Sequence, residues 1–230
     1  SLNALLPNDQ GIVNAGDKAH KLAVRLRGVR DLDDLYKSLV SEWQDPAHVV
    51  RGENGSSVSE PSNLLDDALP KGVFTGAINS VLRMMYRDSI TYLPDDILCK
   101  VDRAAMASSL ETRVPFLDHR VAELAWNLPL GMKIMDGQGK WPLRQVLYRH
   151  VPRELIDRPK AGFGIPIGQW LRGSLRPWAE NLLDQNRLNS EGYFNPMPIR
   201  EKWAEHLSGR RDHTASLWAV LMFQAWLQQL

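Results

Sequence analysis

Six basic side chains, Lys140, Arg144, Arg149, Arg153, Arg158 and Lys160, fall between residues 140 and 160, against two acids, Glu154 and Asp157. Lys140 and Arg144 are spaced one helical turn apart, and Arg158 and Lys160 flank Pro159, a residue that stiffens the chain. Ala161-Gly162-Phe163-Gly164 follows. Glycines let a backbone approach a ligand closely, and fixed cations suit phosphate oxygens. By residue type and spacing this stretch is a candidate anion clamp. The plainer alternative is a solvated helix face. A second constellation runs from Asp95 to Asp118, where an acid-led helix enters Ser109-Leu110-Glu111-Thr112-Arg113-Val114-Pro115. Pro115 is expected to end that helix and Asp118 to cap the next one. Glu111 and Arg113 read equally as a buried ion pair at a helix corner or as reacting groups.

Several other chemistries lack their residues. Gly137-Gln138-Gly139-Lys140 has neither the spacing nor the hydroxyl of a Walker loop, since Trp141 follows. Gly162-Phe163-Gly164 is a fragment of a dinucleotide fingerprint with no strand before it. The six His are scattered without metal-ligand spacing, so no metal site is assigned. Cys99 sits among acids, which would raise its thiol pKa, and reads as structural. There is no GxSxG elbow.

The elements that must carry these groups read as helices separated by Pro and Gly. Apolar residues at helical spacing mark residues 17–27 (Ala19, Leu22, Ala23, Leu26) and 31–43 (Leu32, Leu35, Leu39, Val40). Further helices are expected over 75–90, from Pro94 onward, and over 118–127, 143–150, 170–185, 197–207 and 214–230. No stretch alternates with period two, so the fold is expected to be mainly α, one helical domain over 1–230. Residues 45–61, rich in Gly, Ser and charge, are expected to form a mobile loop.

Composition sets further bounds. Lys plus Arg (28) nearly cancels Asp plus Glu (27), so net charge draws the chain to neither nucleic acid nor membrane. The longest apolar run, 215–227, is interrupted by Gln224 and too short to span a bilayer. A single cysteine and no basic, apolar leader at Ser1-Leu2-Asn3 fit a cytoplasmic protein.

The segment 92–129, YLPDDILCKVDRAAMASSLETRVPFLDHRVAELAWNLP, closely resembles the synthetase domain of glutamine-hydrolysing asparagine synthetases. Lys140-Trp141-Pro142-Leu143-Arg144 and Arg158-Pro159-Lys160-Ala161-Gly162-Phe163 recur in that family in the same order and spacing. β-Lactam synthetases are similar relatives that share the Lys-Trp and Arg-Pro-Lys elements. In the family, ATP activates aspartate to β-aspartyl-AMP with loss of pyrophosphate, and ammonia then displaces AMP. That ammonia comes from glutamine, hydrolysed in a separate domain by an N-terminal cysteine. The resemblance implies that Lys160 is the active-site lysine, with Lys140, Arg144 and Arg158 in support and Asp102 and Arg103 beside the nucleotide cleft. It leaves Glu111 and Arg113 as structural.

The departures define the remaining expectations. The sequence has no glutaminase cysteine at its start, no Ser-Gly-Gly-x-Asp-Ser pyrophosphatase loop and no GEGSDE-like acidic segment. It therefore reads as the helical C-terminal part of an α/β ATP pyrophosphatase-type synthetase domain, without the sheet and loop. ATP and Mg²⁺ would serve the longer enzyme, none would bind this part alone, and the isolated chain would be inactive. Its exposed apolar face would pair with a second copy. The competing functions are a β-lactam synthetase-like cyclase, a glycan or peptide amidotransferase, and a non-catalytic helical scaffold.

Overall fold

A computed structural model describes residues 15–52, 77–158 and 164–230. The chain gathers into two compact units, one formed by residues 1–69 and 164–230 and the other by 70–163.

The first unit begins with α1 (Ala15–Leu26) and α2 (Leu32–Val40). Asp31 caps α2, its Oδ1 accepting the backbone N–H groups of Asp33 at 3.0 Å and Asp34 at 2.8 Å. The helices fall where the apolar spacing places them, but their inward faces differ from it. Leu22, Leu26, Leu39 and Val40 are exposed, whereas Tyr36 and Ser38 are buried. The Arg25 guanidinium helps set this orientation by donating to the carbonyls of Ser38 and of Leu39 (2.8 Å) at the end of α2. Residues 45–52 are not a free loop. Val49 is buried, and Val50 bridges to Phe194 through hydrogen bonds of 2.8–2.9 Å on either side. The rest of the expected loop, 53–61, lies outside the described residues.

In the second unit, α3 (Ala77–Ile90) continues through a π-helical turn at Leu93–Leu98 into α4 (Cys99–Met106). Pro94 was expected at a helix start but sits inside this helical run. Proline cannot donate to the Ile90 carbonyl and its ring crowds it, and a widened turn relieves both problems. Its signature is the Cys99 N–H reaching the Pro94 carbonyl five residues back. The helix ends at Ser109 (φ 55°) rather than at Pro115. Leu110 N–H bonds the Ala105 carbonyl at 3.0 Å and Ser109 N–H bonds the Met106 carbonyl at 2.9 Å, a Schellman ending with serine in glycine's usual place. Glu111 and Arg113 do pair, at 2.9 Å, but on the surface, where such a bridge contributes little. Asp118 caps α5 (His119–Asn127) as expected, accepting Arg120 N–H at 2.9 Å.

Next come α6 (Leu130–Lys133) and a hairpin of β1 (Ile134–Met135) and β2 (Gln138–Gly139), then α7 (Trp141–Leu147) and α8 (Arg153–Ile156). This hairpin is a small addition to a fold that is mainly α, as expected. Asp136 and Gly137 both take positive φ (52° and 74°), the requirement of a two-residue primed turn. Ile97, Val101, Phe116, Val121, Leu124, Leu143 and Val146 of this unit stand exposed, a wide apolar surface.

The first unit resumes with α9 (Ile167–Arg172), α10 (Arg176–Leu182), α11 (Gln185–Glu191), α12 (Pro196–Leu207) and α13 (Thr214–Leu227). α13 is apolar all round and buries Leu217, Val220 and Leu221 among Leu171, Leu182, Leu188, Ile199 and Trp203. This is the core of the described residues. None of their helices is long and apolar enough to cross a membrane.

A buried polar node joins α9, α12 and α13. His206 is 0% exposed. Arg172 donates to its backbone carbonyl at 2.7 Å, and Arg172 Nη2 and the His213 N–H both approach its Nδ1 at 3.3 Å. Neither of those groups can accept, so Nδ1 must, which leaves Nε2–H to donate to the Gly168 carbonyl at 3.2 Å. The imidazole is therefore held neutral. Burial and then the Arg172 charge hold its pKa below the ordinary value, against the pull of Asp212. His213 is likewise held low by burial, although Glu205 bonds its Nε2 at 2.7 Å. A Cβ on Gly168 would lie 2.5 Å from Thr214 Oγ1, a hydroxyl already committed to Asp212.

Two outcomes follow from this node. Gly168→Ala should destabilise the chain by about 1–3 kcal/mol in urea titrations, because the Thr214 hydroxyl, held by Asp212, has to give way to the methyl group. Both imidazoles bind protons more readily when unfolded, so their stabilisation is full above about pH 6.5 and is lost as pH falls below it. Melting temperature should rise with pH between about 5 and 7. His206→Gln, whose amide can still donate to Gly168, should flatten part of that rise, and an unaltered slope would place the effect elsewhere.

Candidate functional site

The β1–β2 hairpin delivers Lys140 to the start of α7. Lys140 occupies the N-cap position in the left-handed region (φ 61°, ψ 32°), with Pro142 in the first turn to fix the helix entry. A non-glycine residue held there costs on the order of 1 kcal/mol, the kind of local strain that gathers at functional sites. Its carbonyl accepts the Arg144 N–H at 3.1 Å, which anchors the strained residue to the helix. The Lys140 side chain is exposed and has no hydrogen-bond or ion-pair partner among the described residues.

Arg144 lies one turn further along and is committed. Its Nε donates to the Gly139 carbonyl at 3.2 Å, and its Nη1 donates to Asp157 Oδ1 and, at 3.4 Å, to Tyr148 Oη. The Tyr148 hydroxyl lies 2.8 Å and 2.9 Å from the two Asp157 oxygens, so it donates to that carboxylate. The guanidinium of Arg153 stacks 4.5 Å from the centre of the Tyr148 ring. Tyr148 first, and then Asp157, push the Arg144 pKa further up. Asp157 thus neutralises a cation expected to face a ligand. Arg144 acts as a brace that ties the hairpin and α7 to the end of α8.

Arg158 follows directly. It donates from Nε to the Leu155 carbonyl at 2.9 Å and leaves the rest of its guanidinium exposed. Lys160, like all of residues 159–163, lies outside the described residues. Asp102 and Arg103 are exposed on α4, and no hydrogen bond or ion pair links them to residues 140–158. The structure ties Arg144, one turn after Lys140, to Asp157, the residue before Arg158. Sequence reasoning missed Tyr148 and Asp157 as parts of the site. The i, i+4 spacing of Arg144 and Tyr148 was the signal available.

Among the described residues no three His, Cys, Asp or Glu side chains converge closely enough to hold a metal ion.

The brace makes a measurable claim. In Asp157→Asn the Arg144 Nε–H, followed by arginine-selective NMR, should exchange with water about tenfold faster than in the native chain. Tyr148→Phe should give a smaller acceleration, and equal rates in all three proteins would remove the brace.

The sequence model of the family described as asparagine synthase matches residues 10–228. The chain is 32% identical over 166 residues to asparagine synthetase (glutamine-hydrolyzing) 1 of Bacillus subtilis (strain 168), a match covering 71% of this chain and 26% of that protein. It is 40% identical over 147 residues to the putative asparagine synthetase (glutamine-hydrolyzing) of Mycobacterium bovis, covering 64% and 22% of the two chains. The mouse asparagine synthetase (glutamine-hydrolyzing) is 31% identical over 143 residues, covering 54% and 24%. The chain thus spans about a quarter of the length of the curated relatives it matches. No solved structure matches it. With a family match running over nearly its whole length, the chain belongs to the asparagine synthase family.

Proposed function

We propose that this chain supplies the helical, phosphate-facing part of a cytoplasmic ATP-dependent carbon–nitrogen ligase that makes asparagine from aspartate and glutamine-derived ammonia. The observation that carries the reading is the strained Lys140 at the head of α7, tied through Arg144 and Asp157 to Arg158 at the threshold of Lys160. In the reaction, an aspartate β-carboxylate oxygen attacks the ATP α-phosphorus and pyrophosphate leaves. Ammonia then adds to the acyl carbon, loses a proton, and AMP departs as the amide forms. Negative charge builds on the α-phosphate and the departing pyrophosphate, so cations fixed beforehand lower the barrier. Lys160 is the group assigned to that charge. Lys140 and Arg158, whose charged ends are not neutralised by a carboxylate, are assigned to the outer phosphates. Arg144 holds the geometry, and Asp102 and Arg103 border the nucleotide.

The exposed apolar surface of the 70–163 unit supports a further element of this reading. The catalytic sheet and pyrophosphate loop pack there, and the chain by itself makes neither β-aspartyl-AMP nor asparagine. A second copy of the chain is the alternative cover.

The test uses the longer polypeptide that carries this chain, supplied with aspartate, ATP and glutamine. Asparagine and pyrophosphate should appear in equal amounts, and Lys160→Ala should lower kcat by about 10²–10³. A lactam, an amidated glycan or an amidated peptide in place of asparagine would select one of the other acceptors. Full activity in Lys160→Ala would overturn the assignment of that lysine.

A further inference from the structure

A large open cavity in the first unit, about 860 Å³, takes its walls from α1, residues 42–44, α12 and the start of α13. That volume lies within the range of small-molecule sites. Several charged groups on its wall are already satisfied. Lys21 pairs with Asp212 at 3.5 Å, His213 with Glu205 at 2.7 Å, and Arg25 donates to carbonyls of α2.

Lys202 is different. Its ammonium lies 3.6 Å from the centre of the Trp43 ring and 3.4 Å from Ser216 Oγ, and no carboxylate reaches ion-pair distance. Trp43 is fixed in turn, since its indole N–H donates to the Ser216 carbonyl at 3.0 Å. Burial pushes the Lys202 pKa down, while the charges of Glu42 and Glu205 pull it back. Glu42 is therefore near enough to be felt, yet it forms no ion pair with Lys202. Glu42 and Glu201 face the same cavity with no partner among the described residues. The space thus holds a half-buried cation and two carboxylates that form no ion pair with one another. Val24, Ala204 and Ala215 supply apolar wall beside them.

We propose that this cavity binds a free α-amino acid, its carboxylate on the Lys202 ammonium and its own ammonium on the carboxylates of Glu42 and Glu201. A simple polyanion is disfavoured by the two glutamates, and a simple cation by the lysine. A zwitterion satisfies both kinds of charge, which form no ion pair with each other. Its carboxylate also offsets the desolvation of Lys202. The apolar wall receives the side chain.

The test is calorimetric titration of the 230-residue chain with the proteinogenic L-α-amino acids, with acetate and methylamine as singly charged controls. At least one amino acid should bind saturably below about 10 mM, and neither control should. Lys202→Met should weaken that binding about tenfold or more, and Lys202→Arg, which keeps the charge, should retain it. Circular dichroism of both variants establishes that they fold. Binding should persist in Lys160→Ala, which separates this cavity from the reaction assigned above. The proposal is overturned if no amino acid binds, if acetate binds as well as the amino acid does, or if folded Lys202→Met binds undiminished.

Discussion

A neutral imidazole at the junction of three helices is the constraint on which the better-packed half of the molecule depends. His206 accepts from Arg172 and from the His213 backbone, donates to the Gly168 carbonyl, and stacks on Trp203 with ring centres 6.1 Å apart. Apolar burial drives α9, α12 and α13 together, but it is non-directional. The hydrogen bonds at this node fix how the helices meet, because a buried donor or acceptor left unpaired costs more than a mismatched methyl group. Gly168 belongs to the same constraint, since α9 can approach Thr214 this closely only without a side chain.

The two units differ in what they bury. The first encloses a continuous apolar cluster and uses its charged residues as rims, caps and cavity walls. The second has its charged groups well organised and its apolar groups exposed. Asp96 pairs with Lys100, Asp118 with Arg120, and Arg144 with Asp157. Such surface pairs orient side chains while contributing little stability. In this unit an ordered charged surface thus lies beside an exposed apolar one.

Local chemistry accounts for the strain at the candidate site. The primed turn at Asp136-Gly137 twists the hairpin so that Gly139 and Lys140 arrive at α7 in a set orientation. Lys140 then occupies the left-handed region, held by its carbonyl bond to Arg144 and by the proline that starts the helix. A flexible lysine would spend its entropy on each encounter with an anion. One whose backbone is fixed has already lost part of it.

The sequence by itself determined what depends on neighbours a few residues apart. Most helix positions followed from apolar spacing, although the stretch 170–185 divides between α9 and α10. Asp118 capped where its type and position indicated, and the ordered motifs around Lys140, Arg144, Arg158 and Lys160 identified the family. The Asp136-Gly137 pair carried a hairpin signal that the absence of period-two alternation obscured, because strands of two residues are too short to alternate visibly. Tertiary structure alone decided which helix faces turn inward, where Arg25 of α1 reaches carbonyls at the end of another helix. It decided that Pro94 lies within a widened turn, which depends on the helix continuing on both sides. It converted Arg144 from a presumed ligand contact into a brace, because Asp157 lies thirteen residues away and only the fold brings it close. The common reason is range. Spacing along a helix is written in the order of residues, whereas the partner of a charge is set by which distant backbone folds beside it.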